Sequence, residues 1–237
     1  MKLDYRFGTT DNTMLEYDKL RDISNAETQI SVRADTQNSG TGRGGHLWYS
    51  PPGGLWFTFD LPGVSFEPSF SLFAGFCIHS LLQTLYGLPD LKVKWTNDII
   101  FQDKKLAGIL CKHQPASRQY IVGVGVNTNN MHDDRMDDLN ATSLKAIMGC
   151  DISNDWLQKL ITHQLYSNAR VLNNPVEYLS YCDTHLFGKG RRARVECPDG
   201  FVNGIIRGID SSGHLMIEDD KLHSICFGSI VKIESGT

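Results

Sequence analysis

The sequence has no Cys-x-x-Cys pair, no apolar run long enough to span a bilayer and no surplus of positive charge. Each absence removes a class of function. The six cysteines, Cys77, Cys111, Cys150, Cys182, Cys197 and Cys226, stand singly, several of them in apolar runs, and read as reduced core residues. The N-terminal segment MKLDYRFGTT lacks the apolar core of a secretory signal, so a reducing, cytoplasmic setting without membrane attachment is expected. With a net charge of −4 and a pI near 6.0, nothing electrostatic favours DNA or a membrane surface as the main partner. Basic residues gather only at Lys104-Lys105 and in Lys189 to Arg194 (KGRRAR). The second cluster has no interleaved aromatics and reads as a solvated strand edge.

What is present suffices for one sizeable domain, or one domain with a small appendage: 237 residues, 41% of them hydrophobic. Before Gln29 the chain is short and polar, with a helix expected from Met14 to Arg21. Gln29 to Ala34 (QISVRA) and Leu55 to Leu61 (LWFTFDL) alternate as half-buried strands do. Pro68 opens an amphipathic helix whose stripe of Phe70, Phe73, Ala74, Cys77, Ile78, Leu81 and Leu85 ends at Gly87 and Pro89. Gln119 to Asn127 reads as an apolar strand, and Trp156 to Leu172 and Val176 to Thr184 as helices split by Asn173-Asn174-Pro175. After Gly188 the texture changes to short runs at Ala193 to Glu196, Phe201 to Ile206, Leu215 to Glu218 and Ser224 to Ile233. Turn residues punctuate them, which predicts a small β-barrel.

Two segments carry chemistry. In Asp35 to Trp48, glycines at Gly40, Gly42, Gly44 and Gly45 surround Arg43 just where a strand should end. Bare backbone N–H groups and a forked guanidinium can cradle a phosphate, although a plain flexible loop has the same composition. Lys92 to Cys111 contains a strand through Val93 and Trp95, a polar turn at Thr96-Asn97-Asp98, then Lys104-Lys105 entering a second apolar run, Leu106 to Leu110. Taken alone, Asn97-Asp98 is a turn and the paired lysines an edge-strand device.

Together these segments resemble the catalytic core of biotin protein ligases, which join a Gly-Arg-Gly adenylate-binding loop to a Lys-Trp-Pro-Asn-Asp turn and a Lys-Leu-Ala-Gly-Ile strand. The matching residues are Gly40, Gly42, Arg43 and Gly45; Lys94-Trp95-Thr96-Asn97-Asp98; and Lys105-Leu106-Ala107-Gly108-Ile109. Trp48-Tyr49-Ser50-Pro51 with Gly53-Gly54-Leu55, the Gly123-x-Gly125-x-Asn127 strand end and Ala141-Thr142-Ser143-Leu144 follow in family order. The resemblance runs from about Thr9 to the C-terminus. Thr41 and His46 replace arginines found in some members, Thr96 replaces the usual proline, and Thr9-Thr10-Asp11 stands nearest to the family's Ser-Thr-Asn motif.

The resemblance implies an α+β fold: a central mixed β-sheet with helices on one side, then an SH3-like β-barrel, with domains at 1–187 and 188–237. It also implies ATP-dependent ligation of biotin, through biotinyl-5′-AMP, to a lysine in the biotin carrier domain of a biotin-dependent carboxylase, with Mg²⁺ required. Lys105, Arg43 and Asp98 would be catalytic. Thr9, Thr10, Gln37, Gly40, Trp48, Lys105, Gly108, Gly123 and Gly125 would contact biotin. Arg43, Gly44, Gly45, Trp48, Lys94, Asn97, Lys105 and Asn127 would contact ATP, and no metal ligand is assigned. The pocket motifs end at Asn127, so the C-terminal barrel is expected to assist ATP use or carrier recognition without building the biotin pocket. The motifs also begin too early for the helix-turn-helix that some members carry, so no specific DNA is expected, whereas a homodimer is compatible. The alternatives are a lipoate or octanoate ligase or transferase of the same fold, and a non-catalytic biotin-binding module.

Overall fold

Alternation along one strand organises the molecule. In β3 (Leu55–Pro62), Leu55, Phe57, Phe59 and Leu61 enter the main apolar core, while Thr58 points to the opposite face and meets the Thr13 hydroxyl at 2.9 Å. The computed structural model describes residues 2–25, 27–131 and 133–234. β3 is the third strand of a seven-stranded sheet that also contains β1 (Lys2–Thr10), β2 (Gln29–Gln37), β4 (Leu91–Lys94), β5 (Asp98–Phe101), β6 (Lys104–Gln114) and β7 (Gln119–Val126). The spatial order is β1-β2-β3-β7-β6-β5-β4. β1 runs parallel to β2 and the other neighbours pair antiparallel, so the sheet is mixed.

Helices α2 (Phe70–Tyr86), α5 (Asn154–Asn168) and α6 (Pro175–Thr184) pack together on the face that holds Phe57 and Phe59. The short helices α3 (Asp134–Asp138) and α4 (Leu144–Met148) link β7 to α5. α2 stops where expected, with Gly87 in the left-handed region at φ 61° and its N–H closing on the Gln83 carbonyl. α1 (Thr13–Ile23) departs from the one-sided expectation. It covers the other face, where Tyr17 is fully buried with Ile30, Val32 and Ile121. Its start is set by Asn12, whose side-chain oxygen accepts from the Met14 N–H at 2.8 Å.

β1 was not expected from the sequence. Leu3, Tyr5 and Phe7 are only half-buried on this edge strand, so its pattern lacks a fully apolar side, and its pairing partner lies 27 residues along the chain at Lys2↔Gln29.

β8 (Arg192–Cys197), β9 (Gly200–Ile209), β10 (Leu215–Glu218), β11 (Leu222–Ile225) and β12 (Ser229–Ile233) form an antiparallel sheet of order β11-β10-β9-β8-β12. The expected single strand over Ser224 to Ile233 is two strands, because residues 226–228 carry the chain from one edge of this sheet to the other. Among the described residues no ladder joins those edges, so the SH3-like module is an open sheet and not a closed barrel. Its inner residues Val195, Ile206, Leu215 and Ile217 share one apolar cluster with α2 and α6. Trp95 donates its indole N–H to the Gly213 carbonyl at 3.0 Å across the junction. All six cysteines are free thiols, and among the described residues no helix is long and apolar enough to cross a membrane.

Candidate functional site

The central strands supply a glycine-paved floor. Gly108 of β6 and Gly125 of β7 are register partners, and the Trp48 indole lies over both. A Cβ at Gly108 would sit 2.7 Å from Trp48 Cζ3, and one at Gly125 would sit 2.5 Å from Trp48 Nε1. These two glycines therefore seat a side chain, and the flat ring becomes a wall of the cavity they border. Trp48 also meets Trp56 edge to face, with centroids 6.2 Å apart at 72°. Gly123 faces Met14, whose Cε would stand 3.0 Å from an added Cβ.

The Gly40 to Trp48 loop folds back on itself through Trp48 N–H to Gly40 carbonyl at 2.8 Å and Gly42 N–H to His46 carbonyl at 2.7 Å. Gly44 and Gly45 take φ of 63° and 78°, which L side chains adopt at a cost. Gln37 anchors the loop: its Oε1 accepts from the Thr13 N–H and its Nε2 donates to Ser50 Oγ, each at 2.8 Å. The Arg43 guanidinium donates to the Thr96 hydroxyl, to Asn97 Oδ1 at 3.1 Å and to the Gly228 carbonyl at 2.8 Å. All three acceptors are neutral. Burial lowers the pKa of Arg43 while Asp98 opposes that shift, and an arginine keeps its proton regardless.

Lys105 and Asp98 form the charged centre. Their side chains pair at 2.9 Å, and the Lys105 ammonium lies 4.9 Å from the Trp48 ring centroid. The β4-β5-β6 meander creates this meeting, because Asp98 pairs with Lys94 on one side and Gly108 on the other. Asn97 Nδ2 donates to the Ile109 carbonyl at 2.8 Å, which holds its Oδ1 toward Arg43. Burial lowers the Lys94 pKa, Asp98 counters this, and the like charge of Lys105 lowers it further. Three cations against one carboxylate make this end of the site attractive to an anion.

A cavity of about 220 Å³ gathers Gln37, Arg43, Trp48, Asn97, Asp98, Lys105, Gly108, Gly123 and Gly125. Lys94 lies instead in an open groove of about 470 Å³ on the far side of Asp98 and Lys105. Asn127 borders a third hollow of about 180 Å³, walled by Leu47, Trp48, Tyr49 and Met136. Thr9, Thr10, Gly40, Gly44 and Gly45 line none of the three. Thr10 is turned away and donates its hydroxyl to Glu16 at 3.0 Å. β1 runs through Thr10, so the chain reaches the cavity only at Asn12, Thr13 and Met14, which the sequence reading passed over. An Asx residue ahead of an apolar run was the available signal. His46 and Ser229 also line the cavity. Ser229 brings the C-terminal sheet into the lining of this cavity, and no local sequence signal marked it. Among the described residues no group of three or more His, Cys, Asp or Glu side chains is placed to hold a metal ion.

A model of the Biotin/lipoate A/B protein ligase family matches residues 6–129. The bifunctional ligase/repressor BirA of Bacillus spizizenii is 30% identical over 211 residues, covering 82% of this chain. The chain spans only 63% of that relative's length. A biotin–acetyl-CoA-carboxylase ligase of Mycobacterium tuberculosis is 29% identical over 202 residues, covering 80% of this chain and 73% of the relative. In fold, the chain is similar to a biotin protein ligase from Aquifex aeolicus in complex with biotin and ATP. The TM-score is 0.83 at 24% identity, with 98% of this chain and 99% of that chain covered.

Proposed function

Because the chain belongs to the biotin/lipoate A/B protein ligase family, we propose that it activates biotin with ATP as biotinyl-5′-AMP and passes the acyl group to a carrier-protein lysine. One observation carries this reading: the Lys105–Asp98 pair stands beside Arg43 at one end of a cavity whose remaining wall includes Met14, Phe57, Leu110 and Val124. An amphipathic acid with an apolar body and an anionic head fits that polarity.

In the first half-reaction a biotin carboxylate oxygen attacks the α-phosphorus of ATP and pyrophosphate leaves. Lys105 would bridge carboxylate and α-phosphate, a role suited to a mobile point charge with three donors. Arg43 would hold phosphate and order the glycine loop. In the second half-reaction the neutral carrier amine attacks the acyl carbon, AMP departs with the C–O electron pair, and the nitrogen gives up one proton and keeps the other as the amide N–H. A lysine amine has a pKa near 10.4 and needs a proton acceptor before attack, for which Asp98 is the carboxylate at hand. Gln37 and Trp48 would bound the biotin body. The hollow beside Asn127 has the apolar walls an adenine ring needs, and the open groove beyond Asp98 gives the acceptor an approach.

Mg²⁺ keeps most of its waters and binds through one or two carboxylates with substrate phosphates. Asp98 is the one described carboxylate lining the main cavity, so the donor set fits a metal ion that arrives with the nucleotide. A division of labour between residues 1–187 and 188–237, a cytoplasmic setting and no operator-DNA role complete the reading, the last in keeping with a net charge of −4.

Incubation of the protein with ATP, Mg²⁺, biotin and a biotin carrier domain, with lipoate in parallel, tests it by mass spectrometry. Biotinylation of the carrier lysine is expected. Lipoylation without biotinylation, or no modification by a preparation shown to be folded by circular dichroism, would overturn it.

A further inference from the structure

The turn between β11 and β12 brings the second sheet to the reaction centre. Gly228 gives its carbonyl to Arg43 at 2.8 Å, and the next residue, Ser229, lines the main cavity alongside Arg43, Asn97, Asp98 and Lys105. Neither residue has freedom to wander. A Cβ at Gly228 would lie 2.5 Å from the Glu196 carbonyl on β8, and Ser229 is the register partner of Glu196 in the β12–β8 ladder. The hydroxyl of Ser229 makes no hydrogen bond to another described residue. A fixed backbone thus presents an unspent donor at the cationic end of the cavity.

We propose that Ser229 is a substrate-contacting residue, donating its hydroxyl to a phosphate oxygen of the nucleotide, and that the second sheet thereby supplies part of the nucleotide site. The inference rests on the ligase reading given above. Arg43 is tied by neutral acceptors on both sheets, and Lys105 is committed to Asp98. A polyphosphate offers more oxygen acceptors than those two side chains can reach without giving up their ties. A neutral hydroxyl raises the donor count without adding like charge next to Arg43.

The full chain carrying Ser229→Ala, Ser229→Cys or Ser229→Thr tests the contact, with pyrophosphate release followed at saturating biotin and varied ATP. Biotin affinity is measured separately by calorimetry without nucleotide. Loss of one hydrogen bond to a charged acceptor should raise KM for ATP about tenfold in the Ala variant. The Cys variant, nearly isosteric but a weak donor, should follow Ala, and the Thr variant should stay within about twofold of the parent. Biotin affinity should not move in any of them. An unchanged KM in the Ala variant, or equal rises for Ala and Thr, would overturn the proposal, the second result assigning the position to shape. A parent protein that releases no pyrophosphate would instead refute the ligase reading. Calorimetric titration of parent and Ala variant with a non-hydrolysable ATP analogue would still decide the contact.

Discussion

At the scale of the residue, Lys105 and Gly125 make separable demands. Lys105 is about one-third exposed and its ammonium bonds Asp98, so Lys105→Ala should leave the core intact. Removing a charge donor aimed at developing negative charge costs on the order of 10²–10³ in rate, and pyrophosphate release should fall by that factor. Release near the parent rate would remove Lys105 from the first half-reaction. Gly125→Ala tests the floor. Its methyl would collide with the Trp48 indole at 2.5 Å, and the ring would have to leave the wall it forms. The expected outcome is a shifted tryptophan emission spectrum with at least about tenfold weaker biotin binding, since a misplaced apolar wall forfeits its contacts. An unchanged spectrum with unchanged affinity would show that the seat is not needed.

At the scale of the element, the legible part of the site is the part built by neighbours in sequence. Asp98, Lys105 and Gly108 belong to adjacent strands of one meander, so a short window of sequence already holds their geometry. β1 and Ser229 were illegible for the opposite reason. The first gains its partner across a helix, and the second enters the cavity from a sheet that begins only at Arg192, far along the chain from Lys105 and Gly108, so neither placement has a local cause. The displacement of the site from Thr9-Thr10 to Asn12-Thr13 follows from β1, an unexpected strand that takes up Lys2–Thr10. α2 adds a prediction of its own. His79 is fully buried and bridges elements: Nε2 lies 2.9 Å from the Leu91 carbonyl, so it must carry the proton, and Nδ1 accepts from the Tyr181 hydroxyl. Burial holds its pKa down at about 4, against an ordinary 6.5. Between those values the unfolded chain takes up a proton that the folded chain refuses. Stability fully present above about pH 6.5 should therefore be lost as the pH falls toward 4, by about 3 kcal/mol in all. Urea melts of the parent and of His79→Gln across that range would show the parent's slope reduced in the variant; identical slopes would assign the pH effect elsewhere.

At the scale of the whole molecule, the two sheets are one folding problem. A chain ending near Phe187 would uncover Leu72 and Leu179 and leave the Trp95 indole N–H without its acceptor at Gly213. An orphaned buried donor costs about 1–3 kcal/mol and the exposed apolar surface adds to it, which is a large share of a typical domain's stability. Such a truncated chain should show non-cooperative melting by circular dichroism and no measurable biotin binding. Cooperative melting with parent-like binding would restore the view of two independent modules.

Lys105 borders all three hollows, the main cavity, the groove beyond Asp98 and the recess beside Asn127. A mixed anhydride formed at that lysine has no distance to travel before its second encounter, so the protein would act as a reservoir of activated acid whose discharge waits on the arrival of an amine. If acceptor were scarce, a loaded molecule would stay loaded, and consumption of nucleotide would then track the supply of carrier and not the supply of vitamin.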